Sequence, residues 1–234
     1  MKRVISPSVS LFLLVTVVGV SQSEAQKTSS QLLQEGYKRY GLESGIFELL
    51  TESSMMKSTE IIHFDRWGLR ETKERTTEIK AGTFTQNQHS MELLDGETTV
   101  TVDLDSKRGS RITNNLMTTI IDRTSSRDME EAGQKILKSM GGKRVGEESV
   151  LGKSCQVWEI QSLKTKTWVW KNIGLKSESG FGGMTTKITA VRVEENVKIP
   201  EEKFRVPEGI PITESGSIPD VLKGIKDKQK AKGK

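Results

Sequence analysis

Apolar and polar side chains alternate through most of the stretch from Gly45 to Pro207, the period-two signature of strands with one wet face. Val100, Val102 and Leu104 interleave with Thr99, Thr101 and Asp103. Asp95-Gly96 separates this run from Met91-Glu92-Leu93-Leu94, and an Asp-Gly pair there predicts a hairpin closed by a type I′ turn. Residues 105–109 supply the next turn. Upstream, Ile62 and Phe64 lead into Asp65-Arg66-Trp67-Gly68, and the polar return over residues 69–77 predicts an edge or rim strand whose charges discourage pairing with other chains. The second half repeats the pattern, with strands predicted over 155–161, 167–171, 175–179 and 185–194 and a loop at 180–183. Val157, Trp158 and Ile160 suggest a strand covered on both faces, and Trp168 and Trp170 share one side. Residues 67–71 and 173–178 look alike, as two similar hairpins.

One helix is expected before the strands and one among them. Leu33, Tyr37 and Tyr40 have helical spacing over 29–40, with Gly41 as the stop. The second helix is stronger. Ser125 or Ser126 can cap it, Glu130 and Glu131 sit early, Lys135 and Lys138 sit late, and Gly141-Gly142 ends it. Its stripe of Met129, Ala132, Ile136 and Met140 is expected to pack on the sheet.

The N-terminus breaks the pattern. Lys2 and Arg3 precede an apolar run over 9–20 and the small-residue stretch Ser23-Glu24-Ala25, the order of parts in a cleavable secretory signal. Cleavage is expected between Ala25 and Gln26, which makes the protein periplasmic or secreted. The expected organisation is a signal peptide (1–25), a single β domain (26–211) and a basic flexible tail (212–234). No segment of the mature chain reads as transmembrane.

Composition sharpens this picture at two points. Hydrophobic content of 33% and aromatic content of 5% suit a sheet with a solvated face. The net charge of +5 lies outside the domain: six lysines against two aspartates in 220–234, with Lys2 and Arg3 against Glu24, account for all of it. A nucleic-acid-binding domain would carry its basic stripe on the folded surface, so that class is excluded.

Candidate chemistry is sparse. Two histidines, His63 and His89, and the single Cys155 make a zinc site improbable, and no metal or cofactor is expected. His63, between Ile62 and Phe64, reads as a strand histidine on the wet face, and Cys155 reads as a small buried hydrophobe. No Gly-x-Ser-x-Gly nucleophile elbow occurs. Gly152-Lys153-Ser154 lacks the glycine spacing of a phosphate loop, since Gly146 stands one residue too far upstream. The adjacent pairs Glu147-Glu148 and Glu201-Glu202 do not suit acid–base work.

The motif Glu147-x-x-Val150-Leu151-Gly152-Lys153-x-Cys155-x-Val157-Trp158-Glu159-Ile160 is followed by Thr167-Trp168-Val169-Trp170-Lys171, Gly174-Leu175-Lys176 and Ile199-Pro200-x-x-x-Phe204-x-Val206-Pro207-Glu208-Gly209. With Tyr40-Gly41-Leu42-Glu43-Ser44-Gly45-Ile46 and Phe64-Asp65-Arg66-Trp67-Gly68 upstream, this resembles a family of exported bacterial proteins of unknown function. That family is related to the periplasmic outer-membrane lipoprotein carriers and to sigma-E-regulatory sensors of the same fold. The resemblance spans 37–209. It implies a mainly β protein with helices (α+β): a curved, incompletely closed antiparallel half-barrel with a helix on its concave side. It also implies a non-enzymatic cell-envelope binding protein for a lipid or lipoprotein acyl chain. Candidate ligand-lining residues are Ile46, Phe64, Val100, Val102, Trp158, Trp168, Trp170 and Phe204. The same residues fit ordinary core beneath the second helix. The alternative function is a structural or sensory envelope protein that binds another protein and has a filled core.

Overall fold

The computed structural model describes residues 26–115, 118–119, 129–181 and 184–217. The expected signal and its cleavage site before Gln26, the Ser125 or Ser126 cap and the lysine-rich segment from 218 lie outside the described residues. Twelve strands form one open, curved sheet: β1 (Gly45–Glu52), β2 (Met56–Asp65), β3 (Arg70–Ala81), β4 (Phe84–Asp95), β5 (Thr98–Asp103), β6 (Arg108–Thr113), β7 (Lys143–Val150), β8 (Lys153–Ile160), β9 (Thr165–Trp170), β10 (Ile173–Phe181), β11 (Met184–Glu195) and β12 (Ile212–Ser217). Their spatial order is β12-β6-β5-β4-β3-β2-β1-β11-β10-β9-β8-β7. Two meanders, β1–β6 and β7–β11, are therefore joined where β11 pairs with β1, and all contacts but one are antiparallel. The exception is β12, which lies parallel to β6. Residues 212–217, expected to begin the tail, thus form a strand, and Ile212 packs on the Met91–Val100–Val102 cluster.

Helix α1 spans Ser29–Gln34 and helix α2 spans Met129–Ser139. The α1 helix starts with a capping box, in which the Thr28 side chain accepts from the Gln31 N–H and the Gln31 side chain accepts from the Thr28 N–H. It stops well short of residue 40. Gly36 at φ 83° lets the Tyr37 N–H reach the Leu32 carbonyl and the Gly36 N–H reach that of Leu33, a pair of hydrogen bonds that closes the helix. Leu32, not Leu33, is the buried member, packed with Tyr37 and Leu69. The β4–β5 turn differs from the expected type I′. Asp95 pairs with Thr98, so Gly96 is its first central residue, with φ 60°, as a type II′ turn requires. A Cβ on Gly96 would stand 2.2 Å from the Lys27 carbonyl oxygen, so only glycine lets the N-terminal strap pass.

The residue 69–77 segment also departs from expectation. It belongs to β3, which lies inside the sheet between β2 and β4, with Glu71 and Thr72 buried. Its charges are neutralised within the sheet face rather than displayed at an edge.

Candidate functional site

Pairing and packing together gather the large side chains into clusters. Phe47 lies opposite Ile62 and Val193, Gly45 lies opposite Phe64, and Val157 lies opposite Trp168. These residues, with Cys155, Ile173, Leu175 and Ala190, form the main core, and Tyr40, Trp170 and Leu49 pack against it. Phe64 is completely buried, stacked on Phe47 at 5.5 Å between ring centroids and edge-on to Tyr40 at 4.9 Å. Trp168 is 2% exposed; its Nε1–H donates to Glu148 Oε2 at 2.7 Å, and Lys176 and Lys166 lie 4.0 and 4.7 Å from its ring centroid. Trp170 is half-buried, with Lys171 at 4.6 Å and Lys153 at 5.3 Å from its ring; both lysines pair with Glu195. Cys155 is a buried free thiol whose pKa burial pushes up.

The apolar patch continues along the same face into a charged cluster. Register puts Glu71, Lys73 and Arg75 of β3 opposite Phe64, Ile62 and Glu60 of β2. The segment before β1 folds over them, bringing Arg39 and Tyr40 onto Glu71. Arg39 Nη1 donates to Glu71 Oε1 at 3.0 Å, and Tyr40 Oη donates to Glu71 Oε2 at 2.5 Å. Lys73 Nζ lies 3.2 Å from both Glu71 and Glu92, and Arg75 pairs with Glu60. Burial by itself would raise the Glu71 pKa. Arg39, Lys73 and the hydrogen bonds from Tyr40 and Arg39 outweigh burial and hold it at about 2. Burial, with the Glu71 charge, pushes the Tyr40 phenol well above its usual range, so Tyr40 is a fixed donor. The cluster is therefore a locked, fully ionised network that ties the N-terminal segment to the sheet. Sequence reasoning missed it, because Arg39 and Glu71 stand far apart in the chain. The opposite charges of Glu71 and Lys73 at i and i+2 were the only local signal.

The other face carries Ile46, His63, Thr72, Leu93 and Val100 in one cross-strand row. A strap over 199–212 covers it. Thr72 Oγ1 donates to the Lys203 carbonyl, and Arg70 is held by Asp65 and Glu201 with its guanidinium 4.0 Å from the Phe204 ring centroid. Val100 and Val102 pack with Met91, Val206, Ile210 and Ile212. The α2 helix lies beside Gln156, Trp158 and Val169, the side of β8 and β9 opposite to Val157 and Trp168, with a void of only about 20 Å³ between them. Ala132 of its expected stripe is buried, and Met129 packs on the Leu32–Tyr37–Leu69 cluster.

The eight candidate lining residues therefore do not share a surface. Phe64, Trp168 and Trp170 meet in the main core; Val100 and Val102 pack in a separate cluster, Ile46 pairs with His63, Phe204 lies against Arg70, and Trp158 lies beside α2. A depression of about 400 Å³ opens at the ends of β8–β10, lined by Glu159, Lys164, Lys166, Glu178 and Ser179 among others. Among the described residues, no group of three or more His, Cys, Asp or Glu is placed to hold a metal ion, and no helix is long and apolar enough to cross a membrane. His89 Nδ1 and Asp105 Oδ1 meet at 2.7 Å on an exposed hairpin end.

His63 does not face water, as its strand position suggested, but lies 7% exposed with Nδ1 unpartnered among the described residues. Burial lowers its pKa below 6.5, helped by Lys203 and Arg192 and opposed by Glu74 and Glu194. The unfolded chain therefore binds this proton more readily than the native one, and stability falls as pH drops below about 6.5. Urea midpoints at neutral pH and about pH 5 should differ more for the native sequence than for His63→Gln. Equal pH dependence in the two would show that His63 is not the group responsible.

No family model matches the chain, and no curated protein matches its sequence. Solved structures are similar to it in form. An uncharacterized conserved protein from Thermus thermophilus is 7% identical with a TM-score of 0.48, over 80% of this chain and 99% of that one. MucB is 13% identical with a TM-score of 0.43, over 79% of this chain and 65% of its own. A putative outer membrane lipoprotein-sorting protein domain from Vibrio parahaemolyticus is 9% identical with a TM-score of 0.27, over 76% and 96%.

Proposed function

We propose that this is a non-enzymatic binding protein of the cell envelope that recognises another protein on its outer surface while its core stays filled. The observation that supports this reading is the packing of the large apolar side chains. Phe64, Trp168, Trp158 and Val102 touch protein on every side, and the lysine stems over Trp168 and Trp170 close the core's outer boundary. An acyl chain needs a long apolar lining, whereas the open depression offers ammonium, carboxylate and hydroxyl groups. Export by a signal peptide over 1–25 belongs to the same reading.

A second reading, binding of a lipid or lipoprotein acyl chain, draws on the unclosed sheet. No strand pairing joins β7 to β12, and Trp170 and Ile46 stay partly accessible on either face. Native mass spectrometry of protein released gently from its own envelope separates the two. The expected spectrum holds the mass of the polypeptide alone, and lipid extraction yields background only. A stoichiometric acyl-lipid adduct would overturn the filled-core reading in favour of the second.

A further inference from the structure

The β7 strand is an unusual sheet edge. Among the described residues it pairs with β8 on one side only, and Lys143 through Ser149 are exposed, so it buries almost nothing of its own. Its outer row of backbone groups is a template for another strand. Most edges of this kind are protected by unmatched charge. Here the charges have an order: Lys143 and Arg144, then Val145-Gly146, then Glu147 and Glu148.

A β-bulge gives that order its meaning. Arg144 lies opposite Trp158 and Gly146 lies opposite Val157, which leaves Val145 as the extra residue. Without it, Lys143 and Glu148 would point to opposite faces. With it, Lys143 lies across from Glu159 and Glu148 from Cys155, on one face, while Arg144 and Glu147 share the other. The ion pair between Arg144 and Glu147 within the chain reports the same geometry.

We propose that β7 recognises a second copy of this chain, pairing antiparallel with itself about a two-fold axis at Gly146 and joining two twelve-stranded sheets into one. A two-fold normal to the sheet keeps every side chain on its own face, so partners must come from matching faces. Gly146 then meets Gly146, Arg144 meets Glu147 and Lys143 meets Glu148, each contact occurring twice. Every cross-strand pair of charges is opposite in sign, which favours this register. Among the described residues nothing stands within 4 Å of a Cβ position on Gly146, so the axis is open to a close neighbour. The two Val145 side chains, each 51% exposed, flank the axis. The same charges reject strands that lack this order, so the edge selects its own copy. This inference goes beyond the proposed function and does not depend on which ligand the protein serves.

The test is sedimentation equilibrium of the mature chain from an exporting host, from micromolar to millimolar concentration. A reversible monomer–dimer equilibrium is expected, weakened about tenfold when salt rises from about 0.05 to 0.5 M. Arg144→Glu and Glu147→Arg are each exposed changes that should leave the thermal midpoint in place. Each variant alone is expected to be monomeric, because like charges then face one another. Mixed in equal amounts they should form a heterodimer, since the introduced carboxylate of one copy meets the introduced guanidinium of the other. A monomer at all concentrations, a dimer that survives both single variants, a mixture that stays monomeric, or open-ended polymers would each overturn the proposal.

Discussion

Replacing Glu71 with alanine is expected to cost about 3–5 kcal/mol of stability, because it leaves the largely covered Arg39 and Lys73 without their shared anion. Glu71 is 2% exposed and accepts from Arg39 and Tyr40 while Lys73 stands 3.2 Å away, so no water replaces the carboxylate when it is removed. Glu71→Gln keeps the shape and tests the charge alone. It should retain the Tyr40 hydrogen bond and still lose most of the stability. The pH dependence gives an independent check. The folded pKa, about 2, lies below the ordinary 4.5, so the contribution of Glu71 is complete above about pH 4.5 and is lost as pH falls towards 2. Acid unfolding of Glu71→Gln should lack that component. Because the cluster anchors the segment carrying Arg39, Tyr40 and Leu42 over the sheet, proteolysis near residue 39 should accelerate in the same variants. A native-like urea midpoint for both variants would mean that the network is held open to water.

What the chain reveals locally and what it hides follow from one physical distinction. Hairpins are closed by neighbours in sequence, so alternation at 98–104 and the glycine at 96 disclose β4 and β5, and the glycines at 141 and 142 mark the end of α2. The Gly142 N–H indeed returns to the Leu137 carbonyl. The position of β3 was illegible, because polar residues 70–77 look like a protected edge until Arg39, Glu60 and Glu92 arrive from other segments to neutralise them. Face assignments failed for a second reason. Each unpaired residue at a bulge reverses the alternation that a reader counts along the strand. Three bulges, at Val145, Leu175 and Val191, separate the edge of the second meander from the join at β1. Trp158 and Trp168 point to opposite sides because Val157, not Trp158, pairs with Trp168, a register that periodicity within either strand does not encode. Likewise, β12 joins β6 in parallel across a hundred residues of intervening chain, and only its side chain at Ile212, packed over Val102, hints at the contact.

Trp168→Ala is expected to destabilise the protein by about 3–5 kcal/mol, whereas Trp170→Ala should cost only about 1–2 kcal/mol. The difference comes from surroundings rather than from chemistry. Trp168 is 2% exposed, and its loss opens a cavity among Val157, Leu175 and the lysine stems while depriving Glu148 of its indole donor. Trp170 is half-buried and gives up mainly cation–π contacts with Lys171 and Lys153, which water can replace. Urea titrations with matched slopes measure both values, and Trp168→Phe should recover a large part of the first by refilling the space. The pair also discriminates between the two functional readings. A wall built to contact an acyl chain is incompletely packed in the empty protein, so truncating it there removes few protein contacts and leaves stability nearly unchanged while abolishing the adduct. A core residue behaves in the opposite way, with a large loss of stability and no ligand to lose. A Trp168→Ala protein that keeps its urea midpoint would therefore move the aromatic cluster from scaffold to binding surface, and the filled-core reading would fall with it.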